Sequence, residues 1–249
     1  MPRLRAVLFD VDDTLFPTTE FARLARNNAV RAMVQAGLGL PEEAVKEELA
    51  EVIAEFSSNY PNHFDKLIQR LRPSALAHRN PALIVAAGVA AYHDTKFQLI
   101  SPFPDVPPLL ADLRGAGLKT GVVTHGLTSK QAEKLVRLGL VPHLDPEAIF
   151  ISEQIGISKP NPKLWQVALR DLGLEPDEVA FVGDSLTHDV APAKELGMLA
   201  VWASRAARQS LEQTGVEPDV EVADFEELRE LLIERYEVPL PEQRRRIRR

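Results

Sequence analysis

The chain has 249 residues, of which 45% are hydrophobic and 26% charged, and it carries a net charge of −7. That length and balance fit a globular protein with a real core, in one large domain or two smaller ones, and the negative charge argues against a nucleic-acid-binding surface as its main business. It has no cysteine, which excludes disulfide staples, thiol catalysis and thiolate metal sites.

The first element is the apolar run Ala6–Phe9, which passes straight into Asp10, Asp12, Asp13 and Thr14. A short apolar run bounded by polar residues reads as a buried strand. Clustered acids repel and raise one another's pKa, so a strand that ends in them calls for a positive partner, and Mg²⁺ suits an all-oxygen set. An Asp-rich turn is the plain alternative. Because the run breaks at Asp10 after four residues, no signal peptide is expected, and a cytoplasmic protein is.

From Thr18 to about Leu99 the periodicity is helical. Phe21, Leu24, Ala25, Ala29, Ala32 and Met33 recur at three- and four-residue spacing, Gly37 and Gly39 close that helix, and Pro41-Glu42-Glu43 opens the next. Further helices are expected near 42–56, 62–72 and 80–99. The longest apolar stretch, Ala82–Tyr92, is far below the ~20 residues of a membrane span.

From Pro102 onward strands and helices alternate. Helices are expected over 105–116, 129–138, 161–172, 187–196 and 225 to about 236, with strands over 119–123, 148–151, 179–182, 199–202 and 220–222. Repeated strand–helix units predict an α/β fold, a Rossmann-like parallel sheet with helices on both faces. The boundaries are thus 1–16 and 101–237 for the α/β core, 17–100 for an inserted all-helical cap, and 238–249 for a basic, disordered tail containing Arg244, Arg245, Arg246, Arg248 and Arg249. An insertion just after the first strand is placed to act as a lid. Nineteen prolines and a bias to Arg, Glu, Ala and Leu suit a heat-adapted source, or a high-GC genome.

Three further features fall at strand ends. Thr124-His125-Gly126 supplies a hydroxyl and a turn whose N–H groups suit an anion. Lys159 stands directly before a proline-started helix, where an exposed loop lysine is the plainer reading. Gly183-Asp184 ends an apolar strand, and Asp189 follows one helical turn later, where helix capping is the alternative. The closely spaced Gly115, Gly117 and Gly121 end a helix and precede a strand, the reverse of a dinucleotide fingerprint.

In order and placement, Asp10-x-Asp12-x-Thr14, Thr124, Lys159 and Gly183-Asp184-x-x-x-x-Asp189 resemble the four motifs of the haloacid dehalogenase-like hydrolase superfamily. The resemblance runs from about Arg5 to Tyr236, and the helical insertion looks like that superfamily's type 1 cap. One departure from phosphoglycolate phosphatase-like members is Asp13, where Gly is usual, though Asp occurs there in other phosphatase branches.

The resemblance implies a Mg²⁺-dependent phosphatase of the phosphoglycolate phosphatase and nucleotidase kind, acting on a small phosphorylated metabolite. Asp10 would be the nucleophile and Asp12 the general acid and base. Asp10, Asp12 through its backbone carbonyl, and Asp184 would hold the metal, with Asp189 orienting a metal-bound water. Thr124, His125, Gly126 and Lys159 would bind the phosphoryl group, with Lys159 also offsetting charge during transfer. Dehalogenases of the superfamily carry a non-acidic residue, typically Tyr, at the position of Asp12. A phosphomutase or a 2-haloacid dehalogenase on the same fold, and a non-catalytic regulatory relative, are the alternatives. In the insertion Tyr60, His63, His78, Arg79, Tyr92, His93 and Phe97 are candidates for a specificity pocket, each more simply read as helix surface or cap core. Nine basic and nine acidic residues between Pro17 and Ser101 leave no excess charge to indicate a second anionic group.

Overall fold

The structure is a computed structural model, and it describes residues 3–58, 60–71, 73–76 and 79–241. His78 and the Arg-rich segment from 242 onward lie outside the described residues. Two compact units emerge, one from the described parts of Met1–Pro17 and Ser101–Arg249, the other from Thr18–Ile100.

The first unit is built on a six-stranded parallel sheet in the order β3-β2-β1-β4-β5-β6. Its strands are β1 (Ala6–Phe9), β2 (Lys119–Thr124), β3 (Ile149–Ile151), β4 (Val179–Gly183), β5 (Leu199–Ala203) and β6 (Val220–Val222). Every residue of β1 and β4 is buried, as expected of parallel strands covered on both faces. The strands were legible as apolar runs because of that double coverage.

The second unit holds the first four helices, α1 (Thr18–Gln35), α2 (Glu42–Phe56), α3 (His63–Arg70) and α4 (Pro81–Leu99). They enclose their own core of Val30, Met33, Leu38, Val45, Leu49, Val52, Leu67, Ile68 and Ile84. Asn80 caps α4 by accepting from the Ala82 N–H at 3.0 Å, one residue before Pro81. Within this unit Tyr60 lies tilted to Phe56 and edge-on to His63, and Tyr92 edge-on to Phe64 and His93. Phe97 is exposed.

The helices of the sheet unit are α5 (Val106–Gly115), α6 (Thr128–Arg137), α7 (Ser152–Ile155), α8 (Lys163–Leu172), α9 (Ala191–Glu195), α10 (Leu211–Thr214) and α11 (Phe225–Tyr236). α8 buries Leu164, Trp165, Ala168, Leu169 and Leu172, one stripe at helical spacing. Its Trp165 meets Phe181 of β4 edge to face at 5.4 Å, a geometry worth about 0.5–1.5 kcal/mol beyond area burial. The Asp224 side chain caps α11 by accepting from the Glu227 N–H at 2.9 Å.

One expected helix, 187–196, is broken in two. Leu186–Val190 is a π-helical turn, and α9 follows from Ala191. Pro192 explains the break, since it lacks the N–H that a regular helix would donate to His188. Single π turns inside helices are often found at functional sites. Among the described residues no helix is long and apolar enough to cross a membrane.

Candidate active site

Strand register brings the motifs together. Phe9 pairs with Val122 of β2 on one side and Val182 of β4 on the other. Asp10, Thr124 and Asp184 therefore lie within two residues of one level at the carboxyl edge of three adjacent strands, where ligands of open parallel sheets bind. The Asp10 N–H donates to the Val182 carbonyl at 2.8 Å and extends the β1–β4 pairing to the acid itself.

Lys159 ties the acids together. Its Nζ donates to Asp10 Oδ1 at 2.7 Å and to Asp189 Oδ1 at 2.6 Å, and its side chain is only 3% exposed. The aromatic rings of Phe181 and Trp165 flank the ammonium at 5.2 and 5.7 Å. The exposed-loop reading of Lys159 is thereby overturned. Burial lowers the pKa of this lysine, and the two carboxylates more than reverse that, holding it above the ordinary value.

Asp10, Asp184 and Asp189 each offer a carboxylate oxygen within 4.8 Å of the others, and all three are buried. Burial, with help from neighbouring acids, pushes Asp10 up to about 7 and Asp184 up to about 8. Three carboxylates against one ammonium leave a deficit of two positive charges when all are ionised. Oxygen donors, close spacing and that deficit fit a divalent cation such as Mg²⁺. Asp189 is fixed further by the Ser185 N–H, which donates to its Oδ2 at 3.1 Å. Gly183 is required beside it, because a Cβ there would meet Asp189 Cγ at 2.6 Å.

Thr124 ends β2 fully buried, and its Oγ1 has no hydrogen-bond partner among the described residues. A buried hydroxyl without a partner is costly, and a substrate oxygen would satisfy it. The following turn differs from expectation. The Gly126 N–H is engaged by Ser152 Oγ at 2.9 Å, so α7 takes a donor expected to face an anion, and it also engages the Thr128 N–H through Glu153 Oε2 at 2.7 Å. His125 is exposed as a whole residue, yet partial desolvation of its ring, with the charges of Lys159 and His188, lowers its pKa.

Asp12 turns elsewhere. Its carboxylate accepts from Lys134 Nζ at 2.6 and 2.7 Å and from Gln131 Nε2 at 2.9 Å, both on α6, and it stands outside the cluster of three acids. Any share of Asp12 in metal binding falls to its main chain. Lys134 and Gln131 were not singled out in the sequence. The available signal was Gln131 itself, a polar residue at a buried position of an amphipathic helix. Asp13 has φ +58°, in the left-handed region. Gly is the natural occupant of that region and Asp one of the few others that adopt it readily, which explains why both serve at this position.

This constellation is set in a fold whose relatives are recognisable. The haloacid dehalogenase-like hydrolase model matches residues 4–197, and the chain belongs to that family. A glyceraldehyde 3-phosphate phosphatase of Methanopyrus kandleri is 49% identical over 225 residues, covering 90% of this chain and 92% of its own. Its counterpart in Methanothermobacter thermautotrophicus is 37% identical over 92% of this chain and 100% of its own. Among solved structures, a HAD phosphatase from Thermococcus onnurineus superposes with a TM-score of 0.63 at 29% identity, covering 92% of this chain and 98% of its own.

Proposed function

We propose that this hydrolase is a Mg²⁺-dependent phosphatase that cleaves a small phosphate monoester through an aspartyl-phosphate on Asp10. The observation that carries the reading is the Asp10–Lys159–Asp189 arrangement beside Asp184: a carboxylate poised at a strand end, with its counter-cation in hydrogen-bond contact. Glyceraldehyde 3-phosphate is the first substrate to try, because relatives at 49% and 37% identity carry that activity in their names. The balanced charge of the helical insertion agrees with an ester bearing no second anionic group.

The residues divide the work as follows. The Asp10 carboxylate attacks phosphorus, the ester P–O bond breaks, and Asp12 delivers a proton to the departing oxygen. Water then attacks the phosphorus of the aspartyl-phosphate, gives its proton to Asp12, and frees Asp10 as inorganic phosphate leaves. Lys159 favours the ionised form of Asp10 against the opposing effect of burial, aims it, and neutralises charge on the transferring group. The Thr124 hydroxyl donates to a phosphoryl oxygen. Asp10, Asp184, Asp189 and the Asp12 main chain would hold Mg²⁺, which when bound draws charge from the phosphoryl oxygens and makes phosphorus more electrophilic. The helical insertion, which leaves the chain at Pro17 soon after Asp10, is the segment we assign to substrate selection.

Phosphate release from glyceraldehyde 3-phosphate, glycerol phosphates and nitrophenyl phosphate, with Mg²⁺ and with chelator, tests the reading. Metal-dependent release from at least one small ester is expected. A purified, folded protein that releases phosphate from none of them contradicts it.

A further inference from the structure

Asp12 has to meet two oxygens in turn, the departing alkoxide and the incoming water, and a general acid or base must lie within hydrogen-bond reach of its target. Its place in the chain gives no such control. Asp12 lies outside the strands and helices, in a turn between β1 and α1 closed by a main-chain bridge with Phe16, and its side chain is about a third exposed. The control comes from α6. Lys134 Nζ reaches both carboxylate oxygens, at 2.6 and 2.7 Å, and Gln131 Nε2 donates to Oδ2 at 2.9 Å.

Gln131 also donates to the His125 main-chain carbonyl at 2.7 Å, so one amide bridges Asp12 and the turn that follows Thr124. The close approach depends on Gly126, where a Cβ would meet Gln131 Nε2 at 2.8 Å. The bridge is retained at a penalty: the Gln131 Oε1 atom is buried with no hydrogen-bond partner among the described residues. A leucine would suit so buried a site better on packing grounds alone. Lys134 and Gln131 stand three residues apart, hence on one face of α6.

We propose that Lys134 and Gln131 are positioning residues that clamp the Asp12 carboxylate and hold it in register with the turn that follows Thr124. The proposal rests on the phosphatase reading above and adds to it the pair that makes Asp12 effective. Two helical residues carry the clamp, so the acid is fixed to a rigid element rather than to its own loop.

The test compares single-turnover phosphoryl transfer from two esters, nitrophenyl phosphate and an alkyl phosphate such as glycerol phosphate, in wild type, Lys134→Met, Lys134→Arg and Gln131→Leu. Met retains an unbranched stem of similar length and removes the ammonium, which lies 5.8 Å from the centre of the Phe16 ring. Lys134→Met should slow transfer from the alkyl ester about 10–100-fold, and at least tenfold more than from the nitrophenyl ester, whose leaving group needs little protonation. Arg should recover most of the loss. In an Asp12→Asn background Lys134→Met should add less than about threefold, because two changes to one device are not additive. Equal slowing of both esters, no slowing of either, or a full additional loss in the Asp12→Asn background would overturn the clamp. Should Lys134→Met fail to fold, Gln131→Leu and the Arg variant carry the same comparison. A wild-type enzyme that turns over neither ester would bring down the phosphatase reading, and the clamp with it; an active wild type with parallel losses brings down the clamp alone.

Discussion

The Lys159 ammonium lies 2.7 Å from Asp10 and 2.6 Å from Asp189, so one buried cation joins the first and last acids of the site across 179 residues of sequence. Removing it leaves two buried carboxylates without their counter-charge. Lys159→Met should reduce kcat by about 10²–10³-fold, in the range seen when one electrostatic donor is lost from an active site. Steady-state kinetics on a small phosphate ester checks this. A loss confined to KM would assign Lys159 to ground-state binding alone.

The acid cluster makes the metal-free protein sensitive to pH. Burial raises Asp10 from 3.8 to about 7 and Asp184 from 3.8 to about 8. The folded state thus binds these protons more tightly than the unfolded chain does. Their stabilising contribution is full below about pH 4 and is lost as pH rises through about 7–8. In chelator, Tm should fall between about pH 5 and pH 8, and Mg²⁺ should raise Tm more at the upper end, because it competes with fewer protons. A Mg²⁺-induced shift that is larger at low pH would contradict the assignment of the metal to these acids.

Asp184→Asn separates stability from function. The amide removes one of the repelling charges, so the chelated variant should melt at least ~2 °C above wild type near pH 8, where a gain of 1 kcal/mol moves Tm by about 2–4 °C. The variant should also lose most of its response to Mg²⁺. Thermal scans with and without metal decide it, and an unchanged Mg²⁺ response would exclude Asp184 as a ligand.

How much of this was legible follows from the length scale of each signal. The strands β1, β4 and β5 announce themselves because parallel strands buried on both faces are uninterrupted apolar runs. Asp10, Asp184 and Thr124 were readable because each stands at the end of a strand, and Asp12 and Asp189 because they follow closely after one. Lys159 was not readable by itself, since only the fold buries it between Phe181 and Trp165. α7 was missed because four residues carry no periodicity, yet its Ser152 and Glu153 decide which N–H groups of the Gly126 turn are engaged. The π turn at Leu186–Val190 was hidden for the same reason, with Pro192 its one local sign. Lys134 and Gln131 meet Asp12 across more than a hundred residues, a contact that only the sheet topology creates.

The nucleophile is tested first by Asp10→Asn. The amide is nearly isosteric and cannot attack phosphorus, so activity should fall by several powers of ten while the fold persists. Retention of more than about one per cent of wild-type turnover would exclude Asp10 as the nucleophile.

The most direct measurement traps the intermediate. In Asp12→Asn, Asp10 can still attack nitrophenyl phosphate, whose leaving group departs without a proton, but the amide cannot take the proton of the hydrolytic water. Rapid mixing should give a burst of nitrophenol approaching one equivalent per active site, then slow turnover, and mass spectrometry of the quenched protein should find phosphate on the peptide bearing Asp10. Absence of both the burst and the phosphorylated peptide, with hydrolysis of the two ester types slowed equally, would contradict covalent catalysis by Asp10 with Asp12 as its acid and base.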